Sequence, residues 1–224
     1  MRVALSVFVG LFAASPGIAQ PNLARQCAPA ARSVATAPSL LDTIATPIRA
    51  ERFASNWARA SEDASASAAM QQFVAPARNL CRDQQLSYVQ AAARRQIRWR
   101  SDTTQWGRHD YWASAAQTLA SGFGDEEDVA IVKMQALRAL GFNREDLFIT
   151  LGRDSVGGPI VVLVAKLGSQ YFVLDQNGGK PWRVDERRSE FDPSISFGLD
   201  RVWVHMRRSY GSAAAASTAL AARR

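Results

Sequence analysis

The spacing of apolar positions divides the chain into two parts of different period. Between Ala50 and Arg100 the period is helical: Phe53, Trp57 and Ala60 recur at helix spacing, and Leu86, Val89, Ala93 and Ile97 form a second stripe. The Ala/Ser/Glu/Asp stretch from Ala60 to Ala69 joins or caps these helices. After a polar stretch from Ser101 to Asp110, Tyr111-Trp112-Ala113-Ser114 leads into a short helix reaching Leu119, and Gly122-Phe123-Gly124 turns the chain. Asp125 to Leu140 carries the strongest helical signal. Asp125, Glu126, Glu127 and Asp128 crowd its first turn, Val129, Val132, Ala136 and Leu140 form its apolar face, and Gly141 stops it. Beyond it the period becomes that of strands, over Leu147 to Leu151, Ile160 to Leu167, Tyr171 to Asp175 and Val202 to Met206, with glycines between the first three. Helices first and an antiparallel sheet second predict an α+β domain over residues 50–210.

The two ends read differently. Met1-Arg2 followed by the apolar run Val3 to Ala14, the Pro16-Gly17 break and Gly17-Ile18-Ala19 predicts a secretory signal over residues 1–19, cut after Ala19. The run is too short to serve as a membrane anchor, and no later segment is apolar enough to span a bilayer. The expected location is the periplasm or the outside of the cell. Residues 20–49, rich in Ala, Pro, Ser and Thr, predict a loosely ordered arm, and residues 211–224 a low-complexity tail.

The formal charge of +7 would suit nucleic acid or an anionic surface. The arginines are scattered, however, apart from the run Arg94, Arg95, Arg98 and Arg100, and an exported chain leaves the nucleic-acid compartment. A solvated basic face is therefore expected, with no nucleic-acid partner. Only Cys27 and Cys81 are present. In an oxidising compartment they can pair and tie the arm to the first helical region, although sequence alone does not bring the two sulfurs together.

Three segments in this order carry a family resemblance. The first is Arg98-Trp99-Arg100-Ser101-Asp102 with Gln105-Trp106-Gly107 and Asp110-Tyr111-Trp112-Ala113. The second runs from Gly124-Asp125-Glu126-Glu127-Asp128 through Lys133 to Leu140-Gly141, and the third is Pro159-Ile160-Val161-Val162-Leu163-Val164 with Val173-Leu174-Asp175-Gln176. Together they resemble the bacterial transglutaminase-like cysteine peptidases, the group that contains the periplasmic protease releasing large surface adhesins under a cyclic-di-GMP receptor. The resemblance implies a papain-like (transglutaminase-like) fold.

It also implies a Gly-Asp-Cys-Glu-Asp motif with the nucleophilic cysteine at a helix N-terminus, a histidine opening one strand and an acid ending the next. Carried over, the cysteine falls on Glu126, the histidine on Pro159 and the acid on Asp175, so only the acid remains. A carboxylate is a poor nucleophile towards an amide, and proline cannot act as a base. The expectation is a catalytically silent homologue that binds a periplasmic protein or peptide, such as an adhesin linker or a receptor's periplasmic domain. The alternatives are a hydrolase with a relocated site, using Cys81 with His109 or His205, and a structural envelope protein. The resemblance further implies a calcium site to which Asp125 and Glu127 would contribute, against the plainer reading of acids that complement a helix N-terminus. No other cofactor is implied. Trp106, Tyr111 and Trp112, with Trp99, are candidates for the wall of a peptide-binding cleft, or for the core.

Overall fold

The strand signals resolve into one seven-stranded sheet in a computed structural model that describes residues 37–177 and 179–207. The expected signal segment, most of the expected arm and the expected tail lie outside the described residues. The strands are β1 (Thr43–Ile48), β4 (Leu147–Asp154), β5 (Pro159–Leu167), β6 (Gln170–Leu174), β7 (Trp182–Arg183), β8 (Phe191–Phe197) and β9 (Val202–Arg207). Their order is β1-β9-β8-β4-β5-β6-β7, and every neighbouring pair is antiparallel. Two short strands, β2 (Arg98–Trp99) and β3 (Phe123–Gly124), form a separate parallel pair.

Among the described residues six α-helices precede or interleave with these strands: α1 (Ala54–Ala60), α2 (Ala68–Val74), α3 (Arg82–Gln96), α4 (Asp102–Trp106), α5 (Ala115–Ser121) and α6 (Glu126–Ala139). The polar stretch from Ser101 therefore holds a helix, α4, that hydrophobic spacing did not show. Side-chain oxygens of Ser67 and Ser114 accept amides of the first turns of α2 and α5, and α5 carries a full capping box with Gln117. Helix α6 is the hub. It packs on β4, β5, α2, α3 and α5, and residues from Asp128 to Leu137 along it are buried.

The continuous apolar run of β5 reflects burial on both faces. Val161, Leu163 and Ala165 face the helices with Ile149 and Leu174, while Val162 and Val164 join Phe148, Val173, Trp182 and Trp203 in a second core on the other side. The pairing of β4 with β8 shifts register between Leu151 and Gly152. A Cβ at Gly152 would stand 2.4 Å from the Asp192 carbonyl, so the bulge needs glycine there.

Two sequence expectations are corrected. The last part of the expected arm is not loose: Thr43 to Ile48 pairs along its length with β9, from Thr43↔Arg207 to Ile48↔Val202. Pro47 disguises this strand, yet an edge strand tolerates proline because it need not donate on its open side. Trp112, offered as a cleft wall, is 1% exposed and packs against Phe53 and Phe197, with ring centroids 5.9 and 5.1 Å away. A large indole gains more by filling the junction of helices and sheet than by standing in solvent.

At the β1 end a buried hydrogen-bond chain locks four strands, β1, β9, β8 and β4. Ser196 Oγ meets His205 Nε2 at 2.8 Å and Thr150 Oγ1 at 2.9 Å, while His205 Nδ1 meets Thr43 Oγ1 at 3.0 Å. Thr43 donates onward to the Leu40 carbonyl, so its oxygen accepts from a protonated Nδ1, leaving Nε2 to accept from Ser196. Neutral imidazole satisfies the whole chain. Burial lowers the His205 pKa to about 4 from the ordinary 6.5.

The unfolded chain therefore accepts a proton that folded His205 refuses. Its contribution is complete above about pH 6.5 and is lost as pH falls toward 4, by on the order of 3 kcal/mol. Between pH 7 and pH 4.5, denaturant titrations should show the wild type faring worse at the lower pH than His205→Gln does, by about 2–3 kcal/mol, a difference that isolates the imidazole from the other titrating groups. In the same assay Trp112→Ala should cost about 3–5 kcal/mol, the range for truncating a buried aromatic.

Candidate functional site

The parallel pairing of β2 with β3 sets two helix starts side by side. Trp99 pairs with Gly124, and the Arg100 amide donates to the Gly124 carbonyl at 3.1 Å. Each strand then runs directly into a helix, α4 or α6, so Asp102 at the start of one meets Asp125 and Asp128 at the start of the other. Gly124 makes this approach possible, since a Cβ there would lie 2.6 Å from that of Asp128. One oxygen from each of Asp102, Asp125 and Asp128 lies within 4.8 Å of the others, and all three residues are buried.

The loop between α4 and α5 closes over this cluster with backbone amides. Tyr111 N donates to Asp102 Oδ2 at 2.5 Å and Ala113 N to Asp128 Oδ1 at 2.7 Å. Across the way, Gln176 Nε2 donates to the Asp125 carbonyl. The other oxygens, Asp102 Oδ1, Asp125 Oδ1 and Asp128 Oδ2, are buried without a hydrogen-bond partner.

Burial first and mutual repulsion second push these acids towards their neutral forms. Asp128 is raised to about 8 by burial and by Asp125, and partly buried Glu127 to about 8 by the same two causes. Asp125 rises to about 6 through burial and Asp102, and Asp102 rises through burial. A helix N-terminus favours a carboxylate by about 0.3–2 kcal/mol. Raising an aspartate from 3.8 to about 8 corresponds to several kcal/mol in the other direction, so burial and crowding prevail over the dipole.

Unpartnered, convergent carboxylate oxygens are the donor set of a hard divalent cation such as calcium. The expected ligands were Asp125 and Glu127. The structure gathers Asp125 with Asp102 and Asp128, and leaves Glu127 beside them, electrostatically coupled to Asp125. Asp102 and Asp128 stood within the quoted segments of the sequence, but only the strand pairing joins segments so far apart in the chain.

The positions carried over from the family do not form a catalytic set. Glu126, the first residue of α6, accepts a hydrogen bond from Trp99 Nε1 at 3.1 Å. Asp175 lies just past β6, where its carboxylate accepts from Trp182 Nε1 at 2.8 Å, the Asn177 amide at 3.0 Å and Gln90 Nε2 at 3.3 Å. No imidazole is among these partners. Pro159 opens β5 as an exposed residue opposite Arg153. Continuing the register from Leu163↔Leu174 puts Val162 across from Asp175, so Pro159 lies three positions farther along, about 10 Å.

The relocated dyad finds no geometry either. Cys81 is disulfide-bonded and offers no thiolate, and Cys27, the only other cysteine of the chain, lies outside the described residues. His205 is enclosed in the β1 end of the sheet, and His109 stands exposed in the α4–α5 loop. Of the aromatic candidates, Trp106 and Tyr111 are half-buried and pack on each other with centroids 5.0 Å apart, Tyr111 lying under the Arg59 guanidinium. The ring open to solvent is Trp99, 65% exposed beside Glu126.

No curated protein matches the sequence. Among solved structures, calcium-bound Legionella pneumophila LapG superposes with a TM-score of 0.53 at 23% identity, over 68% of this chain and 87% of LapG. EGTA-treated Legionella pneumophila LapG gives 0.54 at 22% identity, over 76% and 94%. This likeness shows a shared fold of helices on an antiparallel sheet, the transglutaminase-like architecture expected from the sequence. The sequence matches the family described as bacterial transglutaminase-like cysteine proteinase, BTLCP, over residues 42–209, which brings β1 inside the domain and moves its start ahead of the expected residue 50. The chain belongs to the bacterial transglutaminase-like cysteine proteinase family.

Proposed function

We propose that this protein is an exported, non-catalytic member of its family that holds calcium beside the α6 N-terminus and binds a peptide or protein partner there. One observation carries the reading. Where the family resemblance calls for a thiol, Glu126 stands under the Trp99 indole, and β5 offers no histidine anywhere along Pro159–Leu167. Without nucleophile and base, the residual acceleration over water would be about 10³–10⁴, far below what proteolysis needs.

The chain's own residues account for binding instead. Asp102, Asp125 and Asp128, with Glu127 adjoining, would hold the calcium. The cation would supply the positive charge that lets these acids stay ionised together. The amides of Tyr111 and Ala113 tie the α4–α5 loop to the same acids, so an ordered acid cluster means an ordered loop. Beside it, the exposed Trp99 face and the Glu126 carboxylate suit a partner segment carrying arginine or lysine, its cation over the indole and paired with Glu126. Adhesin linkers and a receptor's periplasmic domain are the partners the family resemblance suggests.

With calcium chelated, the raised pKa values make the folded state resist ionisation, so stability should fall as pH rises from about 4 towards 8. Calcium should restore it, raising Tm more at pH 8 than at pH 5, because binding must displace protons. Asp128→Asn keeps an acceptor for the Ala113 amide and removes one charge. It should raise the Tm of the chelated protein at pH 8 and abolish the calcium response. A calcium-induced shift that survives unchanged in this variant rules out the acid cluster as the site.

Incubated with casein or an adhesin-linker fragment in calcium, the protein should cleave neither. Cleavage by purified protein would refute the non-catalytic reading. Arginine-containing linker peptides should bind with an affinity that falls as salt rises, and Glu126→Gln and Trp99→Ala should each weaken binding about 3–10-fold, the scale of one exposed charge or cation–π contact. Unchanged affinity in both variants would remove this surface as the docking site.

A further inference from the structure

Behind Trp99, between α3, α6 and the end of β6, lies a cavity of about 170 Å³. Its apolar walls are Ile97, Val129 and Trp99, and its polar walls are Lys133, Arg94, Gln176 and Asp175. The acid cluster lies at its border, at Gly124, but contributes no wall.

Lys133 is the unexplained group. It lies two turns into α6, only 2% exposed, with its ammonium donating to the carbonyls of Asp175 at 2.6 Å and Leu174 at 3.3 Å. Both acceptors are neutral, and an ammonium has three donors. The neighbouring carboxylate, Asp175, is engaged by Trp182, Gln90 and the Asn177 amide. Burial of the ammonium outweighs the attraction of the nearby Asp175 carboxylate and lowers the Lys133 pKa to about 7. Arg94, on α3, puts a second positive charge at the same cavity.

We propose that this cavity is a binding site for a small carboxylate, whose oxygens meet the Lys133 ammonium and the Arg94 guanidinium while its short aliphatic part lies against Ile97, Val129 and Trp99. The volume admits a carboxylate with a short stem rather than a folded segment. A single negative charge suits two cations that already share the space with Asp175. A doubly charged anion such as phosphate would meet repulsion from Asp175 and from the acids beyond Gly124. Two sources have this chemistry: a free short-chain carboxylic acid, and the terminal carboxylate of a peptide. The site shares Trp99 with the docking surface proposed above but uses neither Glu126 nor the calcium ligands, so Glu126→Gln should weaken that docking and leave carboxylate binding here unchanged.

The test is a titration of the full chain, followed at the Trp99 indole N–H by NMR, with butyrate, N-acetylglycine, N-acetylglycinamide and inorganic phosphate. At least one of the two carboxylates should give a saturable shift, while the neutral amide and phosphate should not. Butyrate alone identifies a pocket for a free acid, and N-acetylglycine alone a pocket for a peptide terminus. Lys133→Met should lose at least about 10-fold in affinity, the scale of a charge-assisted hydrogen bond. Absence of saturation with both carboxylates overturns the proposal, as does an amide that binds as well as its acid. Should Lys133→Met fail to fold by circular dichroism, Arg94→Gln on the exposed side of α3 decides: weakened carboxylate binding supports the site, and unchanged affinity overturns it.

Discussion

The region around the α6 N-terminus is governed by the repulsion of carboxylates that the backbone forces together. Two parallel strand fragments, each two residues long, deliver Asp102 next to Asp125 and Asp128, and Gly124 allows the approach because it has no side chain. Two loop amides stabilise one oxygen of Asp102 and one of Asp128 and leave the remaining oxygens facing inward. Such an arrangement is at rest only if protons or a cation occupy it. Either occupant keeps the α4–α5 loop attached, and with it the packing of Tyr111 on Trp106 and the burial of Trp112 just beyond. Hub helix and loop are thus joined through acids as well as through the apolar core that Trp112 shares with the helix.

The same end of α6 puts the acid that the family resemblance singles out to structural use. Asp175 is fully engaged, yet by an indole, an amide and a glutamine, and Lys133 holds its carbonyl from below. These bonds fasten the end of β6 to α3 and α6. The acid is used as a structural joint, so its presence alone says nothing about turnover.

Much of this architecture could be read from the sequence where periodicity is strong. Helix α6 and strands β4, β5, β6 and β9 fall where the sequence places them, because dense apolar runs there are bounded by polar or glycine-rich turns. β1 and β8 were missed for a common reason: Pro47 and Pro193 interrupt the alternation, and tertiary pairing supplies what local pattern lacks. The acid cluster was only half visible, because Asp102 is 23 residues from Asp125 and no local rule links them. The sequence left Trp99 and Trp112 with the same two alternatives for a similar reason, since an aromatic in a polar stretch carries no signal of which way it faces.

The pairing of β1 with β9 has a consequence for how the chain comes to be folded. Thr43 meets Arg207, so the first strand of the sheet has no partner until the last strand has been delivered. Contacts of such sequence separation close the largest loop in the domain and slow folding. If the chain is exported as proposed above, threaded through a membrane from its N-terminal end, an edge that cannot zip early keeps the domain from locking shut in transit. The buried link from Thr43 to His205 would then be among the last to form, completing the fold only after the whole domain had crossed.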